Sequence, residues 1–214
     1  MLLVGLTGGL ASGKSFIGHV LEDCGCHLIH ADELGHQALA PGGPAHLDVL
    51  RAFGSDILTE EGTIDRRRLG ALVFGDPALL ARLNSLVHPH VFALQDEKIA
   101  AIAAAQPRAI AVVEAAIMIE TGSYTRYDTL ILALCARETQ IARAMRRDQL
   151  TREEVEARLA RQMPLAGKIP YARFIVDTDH TKEETTLRAR QVYESLYALE
   201  QSKHSAHTGD SDVI

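Results

Sequence analysis

One stretch of eight residues near the amino terminus decides the fold: Gly8-Gly9-Leu10-Ala11-Ser12-Gly13-Lys14-Ser15. It matches G-x-x-x-x-G-K-[ST] at every fixed position, with an apolar run before it (residues 2–6) and a helical pattern after it (residues 14–24). Glycines let successive backbone N–H groups face a phosphate, and the helix presents its positive amino terminus to the same charge. The stretch therefore predicts a phosphate-binding loop for a nucleoside triphosphate; the alternative is a glycine-rich turn that matches by chance.

The side chains and the backbone of this loop have different expected tasks. Lys14 is expected to reach the β- and γ-phosphates as a mobile point charge, and the Ser15 hydroxyl to bind the Mg²⁺ that bridges them. Phe16 contributes its backbone N–H alone. The predicted nucleotide contacts in and beside the loop are Gly8, Gly9, Ala11, Ser12, Gly13, Lys14, Ser15 and Phe16.

Five short apolar runs predict the strands of a buried parallel sheet. They are continuous rather than alternating, as strands covered on both faces require. Segments with helical spacing separate them, and this alternation is typical of an α/β domain. We therefore predict an α/β, three-layer P-loop fold with a five-stranded parallel sheet. The runs are residues 2–6, 27–29, 109–114, 129–134 and 174–176.

Two stretches depart from the alternation of strand and helix. Residues 32–97 have little strand signal and many turn residues, which predicts a mainly helical insertion. Residues 137–173 contain nine basic against five acidic side chains, a net charge of about +4. We predict that 137–165 form an Arg-rich helical lid and that 201–214, which lack apolar periodicity, form a disordered tail. The nucleotide-binding core is then residues 1–31, 98–136 and 166–200.

The composition excludes several classes of protein. Of the 214 residues 47% are hydrophobic, which is enough for a sizeable core and rules out a wholly disordered chain. The 22 basic and 28 acidic side chains give a net charge of −6, which disfavours a protein that coats nucleic acid or anionic membranes. Three cysteines are too few for a disulfide framework, and no signal or spanning segment is evident. We expect a cytoplasmic protein, a monomer or weak homo-oligomer, without nucleic-acid or membrane partners.

The loop alone does not decide what happens to the triphosphate. Asn84 is the only asparagine and Ser85 follows it, so the Asn-Lys-x-Asp loop that reads guanine in GTPases is absent from the sequence. Larger ATPases need a longer chain and further signatures. A small kinase that uses ATP and Mg²⁺ remains, in which an acceptor docks opposite the γ-phosphate and a basic flap closes over the transferring group. We assign the acceptor to residues 32–97 and the flap to residues 137–165.

Further motifs follow the phosphate loop in a particular order, and together they span about residues 2–200. They are Ala31-Asp32, Phe53-Gly54, Ile64-Asp65-Arg66, His88-Pro89, Glu120-Thr121-Gly122, Glu138-Thr139-Gln140, Arg143, Arg147-Asp148, Arg158 and Gln162. In this order the chain resembles the dephospho-CoA kinase family. The resemblance implies a phosphotransferase that moves the γ-phosphate of ATP to the ribose 3′-hydroxyl of dephospho-CoA, the last step of coenzyme A biosynthesis.

The resemblance also implies roles for residues of the acceptor lobe. Asp32, just past the second strand, would accept the proton of the attacking hydroxyl; a helix N-cap is the alternative. Arg66 would pair with a phosphate of the acceptor, or belong to a solvated basic face over residues 66–68. His88 would hydrogen-bond the acceptor, or be a structural histidine at a helix boundary.

Three arginines in the predicted lid occur at helical spacing and would converge on the triphosphate when the lid closes. Arg143 joins Lys14 and Asp32 as an expected catalytic residue, while Arg147 would contact the nucleotide and Arg158 the substrate. Glu120 would orient a water on Mg²⁺ or cap its own loop. The other basic residues include solvated helical partners of Glu153, Glu154 and Glu156.

The sequence departs from the family pattern at several positions. His30 stands where the family usually has Asp, His36 where Arg is common, and Thr178 within the late Asn-Gly pattern of the adenine-contacting loop. Two alternatives therefore stay open. One is another nucleoside monophosphate or small-molecule kinase of the same fold, and the other is a non-catalytic regulator that binds ATP.

Overall fold

A single sheet in the order β2-β3-β1-β4-β5 carries the architecture. The computed structural model describes residues 1–208, apart from the side chains of residues 74 and 206–208. β1 pairs in parallel with β3 and with β4, and β4 pairs in parallel with β5. The predicted five-stranded parallel sheet is confirmed. Its strands are β1 (Leu2–Gly8), β2 (His27–His30), β3 (Ile110–Glu114), β4 (Thr129–Leu134) and β5 (Phe174–Asp177).

Nine α-helices connect or follow these strands within residues 1–208. No helix in that range is both long enough and apolar enough to cross a membrane. The helices are α1 (Lys14–Asp23), α2 (Ala31–Leu39), α3 (His46–Phe53), α4 (Arg66–Phe74), α5 (Pro77–Ala105), α6 (Arg137–Asp148), α7 (Arg152–Leu159), α8 (Leu165–Lys168) and α9 (Lys182–Thr208).

Both faces of the sheet are buried, which explains the unbroken apolar runs. Along β4, Ile131 and Ala133 join the core formed with α1 and α9, whereas Leu130 and Leu132 pack into clusters on the opposite face. Gly5 in β1 leaves no room for a side chain, because a Cβ there would lie 2.4 Å from Leu130 Cδ2. The central strands are therefore fixed by packing on two sides.

The chain divides into two compact units. The first contains residues 1–29 and, in the described part of the chain, residues 101–208, and it holds the sheet. The second contains residues 30–100 and is mainly helical around its own apolar cluster, to which Val49, Leu69 and Val87 contribute. Its bounds lie close to those of the predicted insertion, 32–97.

One helix is longer than its sequence predicts. The pattern His88-Pro89 suggested a boundary between two helices, whereas α5 runs without interruption from Pro77 to Ala105 with Pro89 inside it. A proline inside a helix removes one backbone hydrogen bond and its ring clashes with the preceding turn, which together cost about 3 kcal/mol. Apolar side chains on both sides of Pro89, including Leu86 and Val91, pack on the same cluster and offset that cost.

The prediction of a disordered tail from residue 201 is wrong for its first eight residues, because α9 continues through Thr208. Contacts with the sheet unit explain the difference. Lys203 Nζ donates to both carboxylate oxygens of Asp128 at 2.7 Å, and Arg108 pairs with Glu200 at 3.2 Å and hydrogen-bonds Gln201. Ion pairs and hydrogen bonds of this kind cannot be predicted from the spacing of apolar residues. Residues 209–214 lie outside the described part of the chain.

Candidate nucleotide-binding and catalytic site

The phosphate loop joins β1 to α1, and steric constraints explain the glycines in it. Gly13 adopts a left-handed conformation with φ of 91° directly before α1. A Cβ on Gly8 would lie 2.3 Å from Ser12 Oγ, and one on Gly9 would lie 2.4 Å from Gln140 Nε2. Ala11 also has a positive φ, 52°. The loop is therefore tightly curled in the way that a phosphate cradle requires.

Two side chains of the loop, those of Lys14 and Ser12, have polar atoms that could meet a ligand. Lys14 Nζ donates to the Gly9 carbonyl oxygen at 3.3 Å, which folds the lysine back over the loop. Ser12 is fully buried, and within residues 1–208 its Oγ has no hydrogen-bond partner. A buried hydroxyl normally has a partner, so this atom is available to a ligand oxygen.

Ser15 and Glu114 form a hydrogen-bonded pair beside the phosphate loop. Ser15 Oγ donates to Glu114 Oε1 at 2.7 Å, and Glu114 is 8% exposed at the end of β3. The register that pairs Leu6 with Glu114 places this carboxylate beside the start of the loop. Glu114 is not among the site residues predicted from the sequence. Its signal was an acidic residue closing a buried apolar strand, because such a residue faces the ligand edge of the sheet.

Thr178 connects Arg143 to the phosphate loop. Its Oγ1 donates to the Ser12 carbonyl oxygen at 2.9 Å and accepts from Arg143 Nη1 at 3.0 Å. Arg143 Nη2 donates to the Thr178 carbonyl oxygen at 2.5 Å. Arg143, a predicted catalytic residue, is thus held against the loop by Thr178, one of the positions at which the sequence departs from the family pattern.

Two glutamines hold the backbone of Leu10. Gln140 Nε2 donates to the Leu10 carbonyl oxygen, and the Leu10 amide donates to Gln162 Oε1, both at 2.8 Å. Gln140 belongs to α6, whereas Gln162 follows α7. A cavity of about 270 Å³ opens beside them, with Gly9 and Met163 in its wall. The Arg-rich segment is therefore bonded directly to the phosphate loop.

Asp148 holds two of the predicted ligand-binding arginines. Arg147 donates from Nε and Nη2 to its two carboxylate oxygens at 2.7 and 3.0 Å, and Arg158 Nη1 lies 3.7 Å from Oδ2. The hydrogen bonds from Arg147 hold the pKa of the Asp148 carboxyl below its usual range. Both guanidinium groups are largely exposed. They form a small basic cluster with an acidic anchor.

The other charges in this segment form a local network. Arg152 donates to both carboxylate oxygens of Glu138 at 3.0 and 2.7 Å and to Glu156 at 3.1 Å, four residues along α7. Thr151 and Glu154 form a capping box at the start of the same helix. The predicted pairing within a helix is thus found for Glu156. Such exposed pairs stabilise the helices only slightly.

A buried lysine that is not among the residues predicted from the sequence lies next to the loop. The side chain of Lys168 is 0% exposed, and Nζ donates to the carbonyl oxygens of Gly8 at 3.3 Å and Ala116 at 2.7 Å. Nζ also lies 2.9 Å from Oε1 of Glu120. Glu120 therefore takes an ion pair with Lys168. Lysines are almost never fully buried unless they are paired. The partners of Lys168 are distant in the sequence, so no sequence pattern predicts that this lysine is buried.

Asp32 and Arg66 belong to the second unit, residues 30–100. Asp32 is exposed in the first turn of α2, whose N-cap position is His30, so the alternative of an N-cap role for Asp32 is wrong. Arg66 opens α4 after Asp65, which caps that helix through the amides of Arg67 and Arg68. Arg66 itself is exposed. Both side chains are open to solvent in this unit.

His88 lies in the interior of α5 rather than at a helix boundary. Its ring is half-buried and lies 6.0 Å from the ring of Phe92, centroid to centroid. Burial lowers the pKa of His88 from its ordinary value of 6.5, because an imidazolium would lose hydration there. Burial therefore favours the neutral imidazole of His88, which can donate or accept a hydrogen bond.

Comparison with known proteins agrees with this geometry. The family model described as dephospho-CoA kinase matches residues 2–184. A dephospho-CoA kinase of Geobacter metallireducens is 42% identical over 86% of this chain and 92% of its own length, and one of Geobacter sulfurreducens is 39% identical over 90% and 98%. The crystal structure of TT1252 from Thermus thermophilus superposes with a TM-score of 0.80 at 29% identity, covering 91% of this chain and 96% of that one. The chain therefore belongs to the dephospho-CoA kinase family.

Proposed function

We propose that this protein transfers the γ-phosphoryl group of ATP to the ribose 3′-hydroxyl of dephospho-CoA, the final step of coenzyme A biosynthesis. The observation that carries the proposal is the curled phosphate loop with the Ser15–Glu114 pair, in a chain whose curated relatives are named dephospho-CoA kinase. We further propose that it works in the cytoplasm with Mg²⁺ as a monomer or weak homo-oligomer.

The triphosphate is proposed to bind through the loop backbone from Gly8 to Phe16. The left-handed turn at Gly13 and the amino terminus of α1 support this, because both turn N–H groups toward an anion. The unpartnered hydroxyl of Ser12 adds a further donor for a phosphate oxygen. Lys14 Nζ donates to the Gly9 carbonyl oxygen in this structure. When ATP binds, it would leave that oxygen and contact the β- and γ-phosphates.

Mg²⁺ fits the pair formed by Ser15 and Glu114. Mg²⁺ prefers hard oxygen donors and is usually held by one or two protein groups together with phosphates and water. A hydroxyl and a carboxylate 2.7 Å apart at the end of β3 are such a donor set. When bound, the ion neutralises charge on the transferring group. Ser15 would be its ligand, and Glu114 would orient the Ser15 hydroxyl and a water of the ion.

Asp32 is proposed as the general base. As the 3′-oxygen forms its bond to the γ-phosphorus, the bond from that phosphorus to the β–γ bridging oxygen breaks and ADP leaves. The hydroxyl proton passes to the Asp32 carboxylate, which is exposed and carries no side-chain cap for α2. Arg66 and His88, in the same unit, would bind the acceptor, with His88 acting as a neutral hydrogen-bonding group.

The arginines are proposed to stabilise the charge that spreads over the transferring group. Arg143 is preorganised by its two bonds to Thr178, which reduces the reorganisation needed in the transition state. Arg147 and Arg158 share Asp148 and would turn from it to phosphate oxygens. Their pairing with one carboxylate keeps them together before ATP binds.

A panel of acceptors tests the proposed reaction. ATP consumption with dephospho-CoA should exceed that with AMP, CMP, gluconate or shikimate by at least about a hundredfold, because specificity depends on the acceptor contacts. The product should carry the new phosphate at the ribose 3′ position, as phosphorus NMR can establish. Turnover of another acceptor alone would identify a different kinase, and ATP binding without turnover would favour a regulator.

Two substitutions separate phosphate binding from base catalysis. Lys14→Ala should lower kcat by about a thousandfold, because a charge on the transferring phosphoryl is lost. Asp32→Asn should lower kcat by about a hundredfold or more while leaving the Kd of ADP unchanged, since it removes the proton acceptor alone. Asp56→Asn, another exposed aspartate of the same unit, serves as the matched control. Full activity of Asp32→Asn would refute the base assignment.

The Glu114 carboxylate should set the requirement for Mg²⁺. In Glu114→Gln we expect the Mg²⁺ concentration for half-maximal activity to rise by about tenfold or more, because the group that orients the ligand is lost. A titration of activity against Mg²⁺ at saturating ATP measures this shift. Glu138→Gln, an exposed partner of Arg152, is the control. An unchanged Mg²⁺ requirement in Glu114→Gln would remove Glu114 from the metal site.

His88 should titrate below its ordinary value of 6.5. Because burial lowers its pKa in the folded state, His88 stabilises the fold above pH 6.5, and this contribution is lost as pH falls through the lowered pKa. The ring proton shifts measured by NMR between pH 4.5 and 8 give the midpoint. His88→Gln assigns the resonance and should preserve the KM for dephospho-CoA better than His88→Ala. A midpoint at or above 6.5 would contradict this account.

A further inference from the structure

We propose that Lys168 is a positioning residue that sets the geometry of the phosphate loop, and that Glu120 and Lys168 act as one unit in this task. The inference rests on nucleotide binding by the loop but not on the identity of the acceptor. Sequence patterns assigned no role to Lys168. For Glu120 they suggested a water on Mg²⁺ or a loop cap, neither of which involves Lys168. Lys168 lies at the end of the four-residue helix α8, and its side chain is fully buried.

The ammonium group of Lys168 has a full set of partners. Its three donors meet the Gly8 carbonyl oxygen at 3.3 Å, the Ala116 carbonyl oxygen at 2.7 Å and the Glu120 carboxylate at 2.9 Å. Thr7 Oγ1 also donates to Ala116 at 3.3 Å. A buried charge with matched acceptors holds them in fixed positions, because moving any one of them leaves the charge unpaired.

The bond to Gly8 acts on the phosphate-binding amides. Gly8 ends β1 and begins the loop, and its carbonyl shares a planar peptide unit with the amide of Gly9. In a trans peptide the C=O and N–H groups point in opposite directions. Drawing the Gly8 oxygen toward the buried ammonium therefore turns the Gly9 N–H away from Lys168 and toward the inside of the loop. Lys168 would thus orient the Gly9 N–H group, which donates to a phosphate, without itself contacting the nucleotide.

The same pair reaches the Arg-rich segment. Glu120 Oε1 accepts from the amide of Met163 at 2.9 Å, and the preceding residue, Gln162, accepts from the amide of Leu10. Two consecutive residues after α7 are thus tied to Lys168 through Glu120 and to the loop directly. Loss of the ammonium would loosen both the first turn of the loop and the base of the predicted lid.

Nucleotide binding measured without acceptor tests this proposal. By calorimetry, Lys168→Met should weaken ADP binding by about tenfold, because the loop amides lose their orientation. Lys168→Arg keeps the charge and the donors and should recover most of the affinity. Lys203→Met, which breaks an exposed ion pair with Asp128 in the same unit, should leave ADP affinity unchanged. Thermal melting of every variant monitors the fold.

The kinetic pattern separates positioning from general stability. In Lys168→Met the KM for ATP should rise and kcat should fall, while the KM for the acceptor stays within about twofold of wild type. A purely structural role would lower the melting temperature and leave ADP affinity and these constants unchanged at 25 °C. A folded Lys168→Met with wild-type ADP affinity overturns the proposal.

Glu120 supplies an independent variant and a test of coupling. Glu120→Gln keeps an acceptor for Met163 but removes the charge opposite Lys168, and it should weaken ADP binding by several-fold. If the two residues act as a unit, Lys168→Met with Glu120→Gln should bind ADP no more weakly than Lys168→Met alone. Should Lys168→Met fail to fold, Glu120→Gln carries the test, and wild-type ADP affinity in that variant refutes the proposal. A wild type that binds ADP but does not phosphorylate dephospho-CoA refutes the proposed reaction only.

Discussion

A chain that turns its amides inward around a phosphate must turn its carbonyl groups outward, and those carbonyls need donors inside the protein. In this structure each donor comes from a different part of the chain. Lys168 donates to Gly8, Gln140 of α6 donates to Leu10, and Thr178 after β5 donates to Ser12. The loop is therefore shaped from outside as much as by its own glycines, and the elements around the sheet are fixed by the same bonds.

Pairing within the protein also determines which charged side chains can bind a ligand. The Arg-rich segment is basic within a chain of net charge −6, yet much of its charge is already paired. Arg152 is held by Glu138, and Asp148 holds both Arg147 and Arg158. What remains for a triphosphate is a set of guanidinium groups kept close together by carboxylates. Local pairing, rather than the total charge, determines which of them can reach an anion.

The sequence predicted the parts of the fold and site that depend on local pattern. The strands and the phosphate loop were recognisable because their apolar runs and glycines follow from neighbouring residues alone. Lys168 and the contact of Thr178 with Arg143 were not, since both depend on residues far apart in the chain. Glu114 carried a local signal as the acidic end of an apolar strand, but its place beside the loop depends on strand register. The helix boundary predicted near Pro89 was wrong for a related reason. Apolar packing on both sides of Pro89 outweighs the lost hydrogen bond, so the helix continues through it.

Thr178, where the sequence departs from the family pattern, has a definite physical task in this structure. The position must accept a hydrogen bond from Arg143 and donate one to the Ser12 carbonyl, and a hydroxyl can do both at once. Its methyl group meanwhile lies in the narrow space beside Gly13, where a Cβ would stand 3.1 Å from Thr178 Cγ2. A carboxylate could not donate to that carbonyl, and a larger side chain would press on the turn at Gly13. Thr178 is therefore part of the bond network that holds the loop, and the departure at this position does not by itself indicate a degenerate site.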